Sequence, residues 1–354
     1  MRIALTADPE LTVPPVLYGG IERIVDMLAR NLARRGHEVT LFAHPDSTCP
    51  VRRVSWPGRN SASRLDAVRN AAVLAMHVAK DRYDLVHSFS RIAYLAPILP
   101  FKLPKLMSFQ REISARTTGR ALRLARGTLE FSAISRQMIE ATQLPGCWHL
   151  VPNGVPLSVY DYRGRVAADA PLVFLGRIEE IKGPHLAIEI ARRSGRKLII
   201  AGNIPAEHQG WFEANVQPHI DDDRVRYAGP VNDAQKSELL GGAYAFLMPI
   251  LWEEPFGIVM AEAMACGTPV VGLRRGAVPE VVEDGVSGFV VDTVDEMVAA
   301  VGRIGALSRA AARSRVERLF SEDAVTEGYL RIYRDLTHKI GAGISRATEH
   351  ARSA

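Results

Sequence analysis

A chain of 354 residues is long for a single hydrophobic core, and we expect two domains of ordinary size. With 47% hydrophobic and 23% charged residues, the protein is expected to be globular. The formal net charge of +5 comes without a DNA-recognition helix, an RNA-binding strand motif or a zinc-finger pattern, so we predict no nucleic-acid partner. Acidic small molecules and anionic membrane surfaces are compatible with this charge.

The N-terminus and the cysteines indicate the compartment. The first eight residues enter a predicted strand directly and lack the apolar core of a signal peptide, so we expect a cytoplasmic protein. Cys49, Cys147 and Cys266 are far apart in the sequence, and their spacing predicts neither a disulfide framework nor a zinc site.

The first half of the chain alternates short apolar strands with helical patterns. A strand at 2–7 leads through a proline-rich loop to a helix that begins near Gly20 and carries apolar side chains at helical spacing. Further strands are predicted at 38–43, 51–56, 84–88, 105–109, 131–134 and 148–151, with a helix at 65–78 and a basic helical segment after 109. Strands separated by helices predict a parallel sheet with both faces covered.

The second half repeats this alternation after a proline-containing linker at 152–170. Strands are predicted at 172–175, 197–201, 225–227, 244–248 and 268–273, and helices at 185–193, 207–216, 235–240, 257–266 and 322–338. We predict an α/β protein of two doubly wound, Rossmann-like domains whose strand ends face a shared cleft. Their predicted bounds are 1–165 and 166–321, followed by a helix at 322–340 and a flexible tail at 341–354.

Two acidic residues mark the second half. Glu254 is predicted to lie in the loop that enters a helix, and Glu262 inside that helix, which Gly267 ends. Between residues 255 and 273, Glu262 is the only charged residue. A buried carboxylate is costly unless it is hydrogen-bonded, so Glu262 is either a satisfied structural acid or a ligand contact.

Two basic residues and a glycine pair fit a phosphate-bearing ligand. Arg177 and Lys182 follow the strand at 172–175 and offer the charge-assisted contacts that a diphosphate needs. Gly19 and Gly20 precede a helix start, where free N–H groups and the positive dipole end favour phosphate. Two acids for hydroxyls, two bases for phosphates and a glycine loop together indicate a nucleotide-sugar site.

Taken together, these motifs resemble those of the retaining glycosyltransferases of family 4, which have the two-domain GT-B fold. The resemblance covers nearly the whole chain. It rests on Tyr18-Gly19-Gly20, Gly176-Arg177 with Lys182-Gly183, Glu254-Pro-Phe-Gly with Glu262-Ala-Met-Ala, Gly267-Thr-Pro-Val-Val, Gly276 and Pro279-Glu280.

The resemblance implies a role for each residue of the donor site. Arg177 and Lys182 would bind the donor diphosphate, and Glu262 the ribose hydroxyls. Glu254 would hold the transferred sugar, as would Phe256 and Gly257 through their backbone. It also implies that the first domain carries the acceptor, the second binds the nucleotide sugar, and the C-terminal helix crosses back to the first domain.

No cofactor beyond the nucleotide sugar and no metal is predicted. The run Asp221-Asp222-Asp223 offers paired acids, but it precedes a predicted strand instead of ending one. A run of adjacent charges is usually a solvated turn.

On the acceptor side the candidates are His87 and Gln110. His87 ends an apolar strand, where a packed histidine is about as consistent with the pattern as a functional one. Gln110 stands where many family members have histidine; it can hydrogen-bond a sugar hydroxyl but cannot exchange a proton. A sugar, a lipid-linked molecule or another small molecule could be the acceptor. Docking of the basic segment on a membrane surface is not favoured, because that segment lacks a broad apolar face.

Three functions remain open at this point. The favoured hypothesis is transfer of a sugar from a nucleoside diphosphate sugar to an acceptor hydroxyl with retention. The alternatives are a nucleotide-sugar epimerase of the same fold and a catalytically silent nucleotide-binding scaffold, which fold alone does not separate. The base, the donor sugar, the acceptor and the linkage are not specified by the sequence.

Overall fold

The computed structural model describes residues 1–16, 19–111, 113 and 115–352, with side chains as far as residue 340. The chain forms two compact units, Met1–Pro152 with Val325–Ala354 and Asn153–Ala324. The segment at 153–165, which the prediction assigned to the first domain, packs with the second unit. There the Val155 N–H donates to the Phe320 carbonyl at 2.8 Å.

The first unit is built on a parallel sheet of seven strands. They are β1 (Arg2–Thr6), β2 (Glu38–Ala43), β3 (Arg52–Ser55), β4 (Leu85–Ser88), β5 (Lys105–Phe109), β6 (Leu129–Ala133) and β7 (Trp148–Leu150), in the order β3-β2-β1-β4-β5-β6-β7. The helices are α1 (Gly20–Arg34), α2 (Arg64–Asp81), α3 (Ala115–Ala125) and α4 (Arg136–Thr142), with a 3-10 helix at Ile92–Ile98. The apolar stripe of α1, including Ile24, Leu28 and Leu32, is buried, as its spacing predicts.

The second unit is built on a parallel sheet of six strands. They are β8 (Leu172–Leu175), β9 (Leu198–Ala201), β10 (Val225–Tyr227), β11 (Ala245–Met248), β12 (Val270–Leu273) and β13 (Gly288–Val291), in the order β10-β9-β8-β11-β12-β13. The helices are α5 (Pro184–Arg193), α6 (Gln209–Asn215), α7 (Asp233–Gly241), α8 (Ile258–Ala265), α9 (Val278–Val281), α10 (Val294–Arg303) and α11 (Arg309–Leu319). Short 3-10 turns lie at Glu180–Lys182, Ala206–His208, Gln217–His219 and Ile304–Ala306. The sequence pattern predicted no elements at β13, α9, α10 and α11.

The last helix, α12 (Glu322–Arg352), joins the first unit from Val325 onward. Tyr329 and Tyr333 on its inner face are buried there, so the predicted return of this helix to the first domain is confirmed. The helix continues past the predicted end near 338–340, since no proline interrupts residues 341–352. The flexibility expected for residues 341–354 stays a prediction.

The apolar run at 255–273 divides into α8 and β12, as its glycines and proline predict. Both elements are buried inside the second unit. Over the described part of the chain, no helix combines the length and the apolarity that a membrane crossing requires.

Candidate functional site

The loops at the carboxyl ends of β8, β9 and β11 lie against one another in the second unit. Gly202, after β9, has φ +139°, and a Cβ at that position would lie 1.8 Å from the Gly176 carbonyl oxygen. The Leu251 N–H donates to the Ile181 carbonyl at 2.8 Å, which joins the loop after β11 to the 3-10 turn after β8. These contacts bring the Arg177–Lys182 segment next to the Glu254 loop, where α/β sheets bind their ligands.

Lys182 and Glu254 form a direct ion pair. Lys182 Nζ lies 2.6 Å from Glu254 Oε2, and the two side chains are only 16% and 12% exposed. Trp252 Nε1 donates to the same carboxylate oxygen at 3.1 Å, and Lys182 Nζ lies 4.7 Å from the centre of the Trp252 ring. The two residues that the sequence analysis assigned to different parts of the donor are therefore held together, with Trp252 fixing the carboxylate.

Arg177 is paired with an acid from its own loop. Arg177 Nη2 lies 2.9 Å from Glu179 Oε1, which makes an ion pair, but the atoms are not aligned for a hydrogen bond. His208 Nε2 lies 3.4 Å from the other Glu179 oxygen. Glu179 is buried, whereas the Arg177 side chain is 38% exposed. The pair leaves the guanidinium accessible to an anionic ligand.

The Glu254 loop is fixed by backbone contacts to the loop after β12. Gly276 has φ +53°, and a Cβ there would come within 2.3 Å of the Glu254 backbone nitrogen and oxygen. The Gly276 N–H donates to Glu253 Oε2 at 2.6 Å, and the Ala277 N–H donates to the Glu254 carbonyl at 2.8 Å. Glycine at 276 is therefore needed for this close approach.

Phe256 and Gly257 connect this loop to α8. The Phe256 side chain is buried and packs edge-on against Phe320, with ring centres 5.5 Å apart. It therefore anchors the loop, and only its backbone is available for the role that the family resemblance implies. Gly257 has φ +70° and is the N-cap of α8, a left-handed conformation that favours glycine.

Glu262 lies inside α8 with its side chain only 5% exposed. Its Oε1 accepts hydrogen bonds from the Tyr160 hydroxyl at 2.6 Å and from Lys236 Nζ at 2.7 Å. Its Oε2 is buried and has no hydrogen-bond partner within the described residues. A buried carboxylate oxygen without a donor is costly, and a hydroxyl that donates to it would remove that cost.

Sequence reasoning missed three residues of this site: Tyr160, Lys236 and Trp252. Tyr160 lies in the segment taken for a linker, and Lys236 lies in α7, far from Glu262 along the chain. Trp252 is two residues from Glu254, and an indole N–H beside an acid was the one signal that could have found it.

The acidic run at 221–223 is a structural turn. Asp221 Oδ1 accepts hydrogen bonds from the backbone N–H groups of Asp223, Arg224 and Val225 at 3.1, 2.7 and 2.9 Å. These bonds hold the pKa of Asp221 below its ordinary value. The carboxylate thus starts strand β10, in agreement with the predicted turn.

The glycine pair belongs to the first unit, and Tyr18 lies outside the described residues. Gly19 has φ +154°, and a Cβ there would lie 2.6 Å from Pro15 Cβ and 2.9 Å from Glu22 Oε2. Gly20 begins α1, and a Cβ on it would meet no atom within 4 Å. Among the described residues, none therefore fills the space beside Gly20, as a ligand approach to the helix start requires.

Polar atoms without partners lie at the carboxyl ends of β1 and β5. Asp8 is buried; its Oδ2 lies 2.8 Å from Arg111 Nη2, and its Oδ1 has no partner among the described residues. Burial raises the pKa of Asp8, and Arg111 opposes that shift. Gln110 Nε2 is likewise buried without a partner in the described chain. An acceptor oxygen of Asp8 and a donor nitrogen of Gln110 thus have no partner among the described residues.

His87 was a candidate for the acceptor side, but its side chain is buried. The side chain is 0% exposed, with Nδ1 2.6 Å from the Tyr333 hydroxyl and Nε2 2.6 Å from Ser108 Oγ. Burial lowers its pKa well below the ordinary value, so the ring is neutral at physiological pH. His87 has no surface to offer an acceptor and instead joins β4 and β5 to α12.

A pH dependence of stability follows from the buried His87. An unfolded histidine takes up a proton below about pH 6.5, whereas folded His87 does not until a much lower pH. The unfolded state therefore binds more protons in this range. The free energy of unfolding decreases as the pH is lowered, by up to about 1.4 kcal/mol per pH unit. Urea denaturation at about pH 7 and about pH 5 should show a smaller change for His87→Gln than for wild type.

The control for this prediction is His219→Gln, which changes an exposed histidine of the second unit. It should keep the wild-type pH dependence. If the free energy of unfolding changes with pH as much in His87→Gln as in wild type, the assignment of His87 as buried and neutral is wrong.

Comparison with protein families identifies the chain. A model described as "Glycosyl transferases group 1" matches residues 166–315, and one described as "Glycosyltransferase Family 4" matches residues 18–159. The chain belongs to glycosyltransferase family 4. The two matches cover most of the first and second units, and the protein is a glycosyltransferase with the GT-B fold.

The chain is also similar to named relatives and to solved structures. The spore coat protein SA of Bacillus subtilis is 24% identical, over 95% of this chain and 98% of its own. The phosphatidyl-myo-inositol mannosyltransferase of Mycolicibacterium smegmatis is 28% identical, over 97% of this chain and 95% of its own. The structure of HepE from Anabaena, in complex with UDP and glucose, superposes with a TM-score of 0.71 at 20% identity, over 95% of this chain and 100% of HepE.

Proposed function

We propose that this family 4 glycosyltransferase transfers a sugar from a nucleoside diphosphate sugar with retention and without a catalytic metal. The observation that carries the proposal is Glu262. Its Oε1 is saturated by Tyr160 and Lys236, while its buried Oε2 has no donor among the described residues. The two ribose hydroxyls of a nucleotide supply such donors, once binding moves the atoms that cover Oε2.

The diphosphate is proposed to bind to Arg177 and Lys182. Lys182 has three N–H donors and gives one to Glu254, so the other two can reach phosphate oxygens. The Arg177 guanidinium is partly exposed beside Glu179. These two cations provide the positive charge that other enzymes take from a metal, which supports metal-independent transfer. The complex of HepE with UDP makes a uridine nucleotide the first donor to test.

In the proposed reaction, the bond from the anomeric carbon to the β-phosphate oxygen breaks as the acceptor oxygen bonds to the same face of that carbon. The acceptor's proton passes to an oxygen of the departing phosphate. Arg177 and Lys182 stabilise the charge that grows on the diphosphate, which is usually the largest contribution to catalysis. Glu254, fixed by Trp252 and Lys182, holds the sugar hydroxyls.

The acceptor is proposed to bind at Asp8 and Gln110. The unpaired Asp8 Oδ1 can accept from an acceptor hydroxyl, and the unpaired Gln110 Nε2 can donate to a second oxygen. Arg111, 67% exposed at its side chain beside Asp8, offers charge to an anionic acceptor. The role of Gln110 is thus hydrogen bonding without proton transfer.

Asp8→Asn and Gln110→Ala test this acceptor side. Each removes one proposed hydrogen bond, worth about 0.5–3 kcal/mol, and should lower kcat/KM for the acceptor by roughly 2- to 100-fold. The affinity for nucleoside diphosphate, measured by calorimetry, should not change. Arg82→Ala, a surface change in the same unit, serves as the control. Wild-type acceptor kinetics in both Asp8→Asn and Gln110→Ala would contradict the assignment.

The proposed function is tested by a thermal-shift panel of nucleoside diphosphates and their sugars, followed by turnover assays of the stabilising donor. A ligand at about a hundred times its Kd adds roughly 2.7 kcal/mol of stability. Transfer should occur after treatment with EDTA and should give the donor's anomeric configuration, read by NMR of the product. Release of free nucleoside diphosphate without any acceptor would favour an epimerase. Binding without turnover across a broad acceptor panel would favour a scaffold.

A further inference from the structure

A cluster of three potential metal ligands lies at the edge of the first sheet and includes none of the residues assigned to transfer. Glu130 is in β6, and Cys147 and His149 are in or beside β7, the edge strand. Side chains alternate along a strand, so Cys147 and His149 project from the same face. His149 pairs with Ser132 in the parallel register, and Glu130 shares the face of Ser132.

The ligand atoms of this cluster are already close together. Glu130 Oε2, Cys147 Sγ and His149 Nε2 all lie within 4.8 Å of one another. The sulfur lies 3.6 Å from His149 Nε2, and that nitrogen lies 2.7 Å from Glu130 Oε2. In a tetrahedral zinc site, bond lengths of about 2.3 Å to sulfur and about 2.05 Å to nitrogen place these two ligands about 3.6 Å apart.

We propose that Glu130, Cys147 and His149 form a site for a divalent transition metal, Zn²⁺ in the first place. Thiolate, imidazole and carboxylate are the ligands that zinc takes in proteins, and water would complete the coordination. The carboxylate and the imidazole need to separate by about 0.7 Å to reach the spacing of zinc ligands. The metal would join β7 to β6 and so stabilise the sheet edge from which the chain leaves the first unit.

Lys339 of α12 acts as a positioning residue for this site. Its Nζ donates to Glu130 Oε1 at 2.7 Å and leaves Oε2 for the metal. The hydrogen bond from Lys339 thus holds the Glu130 carboxylate with Oε2 beside His149 and Cys147.

The sequence alone predicts no zinc site because its cysteines are not closely spaced. Here one ligand comes from a neighbouring strand, and only the register of β6 against β7 brings it beside the Cys-x-His pair. None of the three ligands belongs to the proposed donor or acceptor sites, so this inference does not depend on the proposed function.

The test uses the full chain, treated with EDTA, kept reduced with a phosphine and titrated with Co²⁺. The expected result is a thiolate-to-cobalt charge-transfer band that saturates at one equivalent and is displaced by Zn²⁺. Cys147→Ser should abolish the band, His149→Gln should weaken binding at least tenfold, and Lys339→Met should weaken it about tenfold. Cys49→Ser, which removes a buried thiol of the same unit, should leave the band intact.

Zn²⁺ should also raise the Tm of wild type and of Cys49→Ser but not of Cys147→Ser. The far-UV circular dichroism spectrum of all four variants should match that of wild type, which shows that they are folded. Three outcomes would overturn the proposal: no band at one equivalent of Co²⁺, a band that persists in Cys147→Ser, or several equivalents bound equally by wild type and variants.

Discussion

Replacement of Lys182 by alanine should lower kcat by about 10²–10³-fold, the usual cost of removing one group that stabilises charge in a transition state. Lys182 is proposed to act on charge that grows as the diphosphate departs, so the affinity for free nucleoside diphosphate should fall by a smaller factor. Turnover at saturating donor and calorimetry with the diphosphate measure the two effects separately.

The ion pair between Lys182 and Glu254 adds a second readout to this experiment. The two side chains contact each other at 2.6 Å, so their substitutions should not be additive. Lys182→Ala combined with Glu254→Gln should cost less in kcat than the product of the single effects. Lys197→Ala removes a lysine of the same unit whose ion pair with Asp223 is exposed, and it should leave kcat unchanged. Wild-type turnover in Lys182→Ala would remove Lys182 from the proposed mechanism.

The sequence predicted the sheets and the order of the site motifs, because apolar periodicity and glycine positions are local signals. The strand at β8, the loop at Glu254 and the helix α8 around Glu262 were all predicted close to their observed places. Contacts between distant segments carry no such signal. The bonds from Tyr160 and Lys236 to Glu262 depend on how α7 and the segment after Pro152 pack on α8.

The same limit explains why the sequence left the role of His87 open. The sequence pattern around a histidine at the end of an apolar strand is the same whether the ring faces a ligand or the protein interior. Only the return of α12, which brings the Tyr333 hydroxyl to Nδ1, shows that the ring is enclosed. The polar stretch at 153–165 is a related case, because it has the composition of a linker but packs along the second unit.

The two acids of the donor site should respond differently to the same substitution. In Glu262→Gln, the amide oxygen can still accept from Tyr160 and Lys236, but the group in place of Oε2 becomes a donor. It can no longer accept from a ribose hydroxyl. Losing such a charge-assisted bond costs about 1.5–3 kcal/mol, so free nucleoside diphosphate should bind roughly 10- to 100-fold more weakly.

Glu254→Gln should leave that binding nearly unchanged and lower sugar transfer instead, since its proposed partners are hydroxyls of the transferred sugar. Its amide oxygen can keep the bonds from Lys182 and Trp252, so the loop should retain its place. Glu238→Gln, in a surface ion pair with Arg163, is the matched control for both variants. Calorimetry with the free diphosphate decides the matter: equal losses in Glu262→Gln and Glu254→Gln would falsify the division of roles. The buried Oε2 of Glu262 would then be a structural feature of α8, and the ribose would have to be recognised elsewhere.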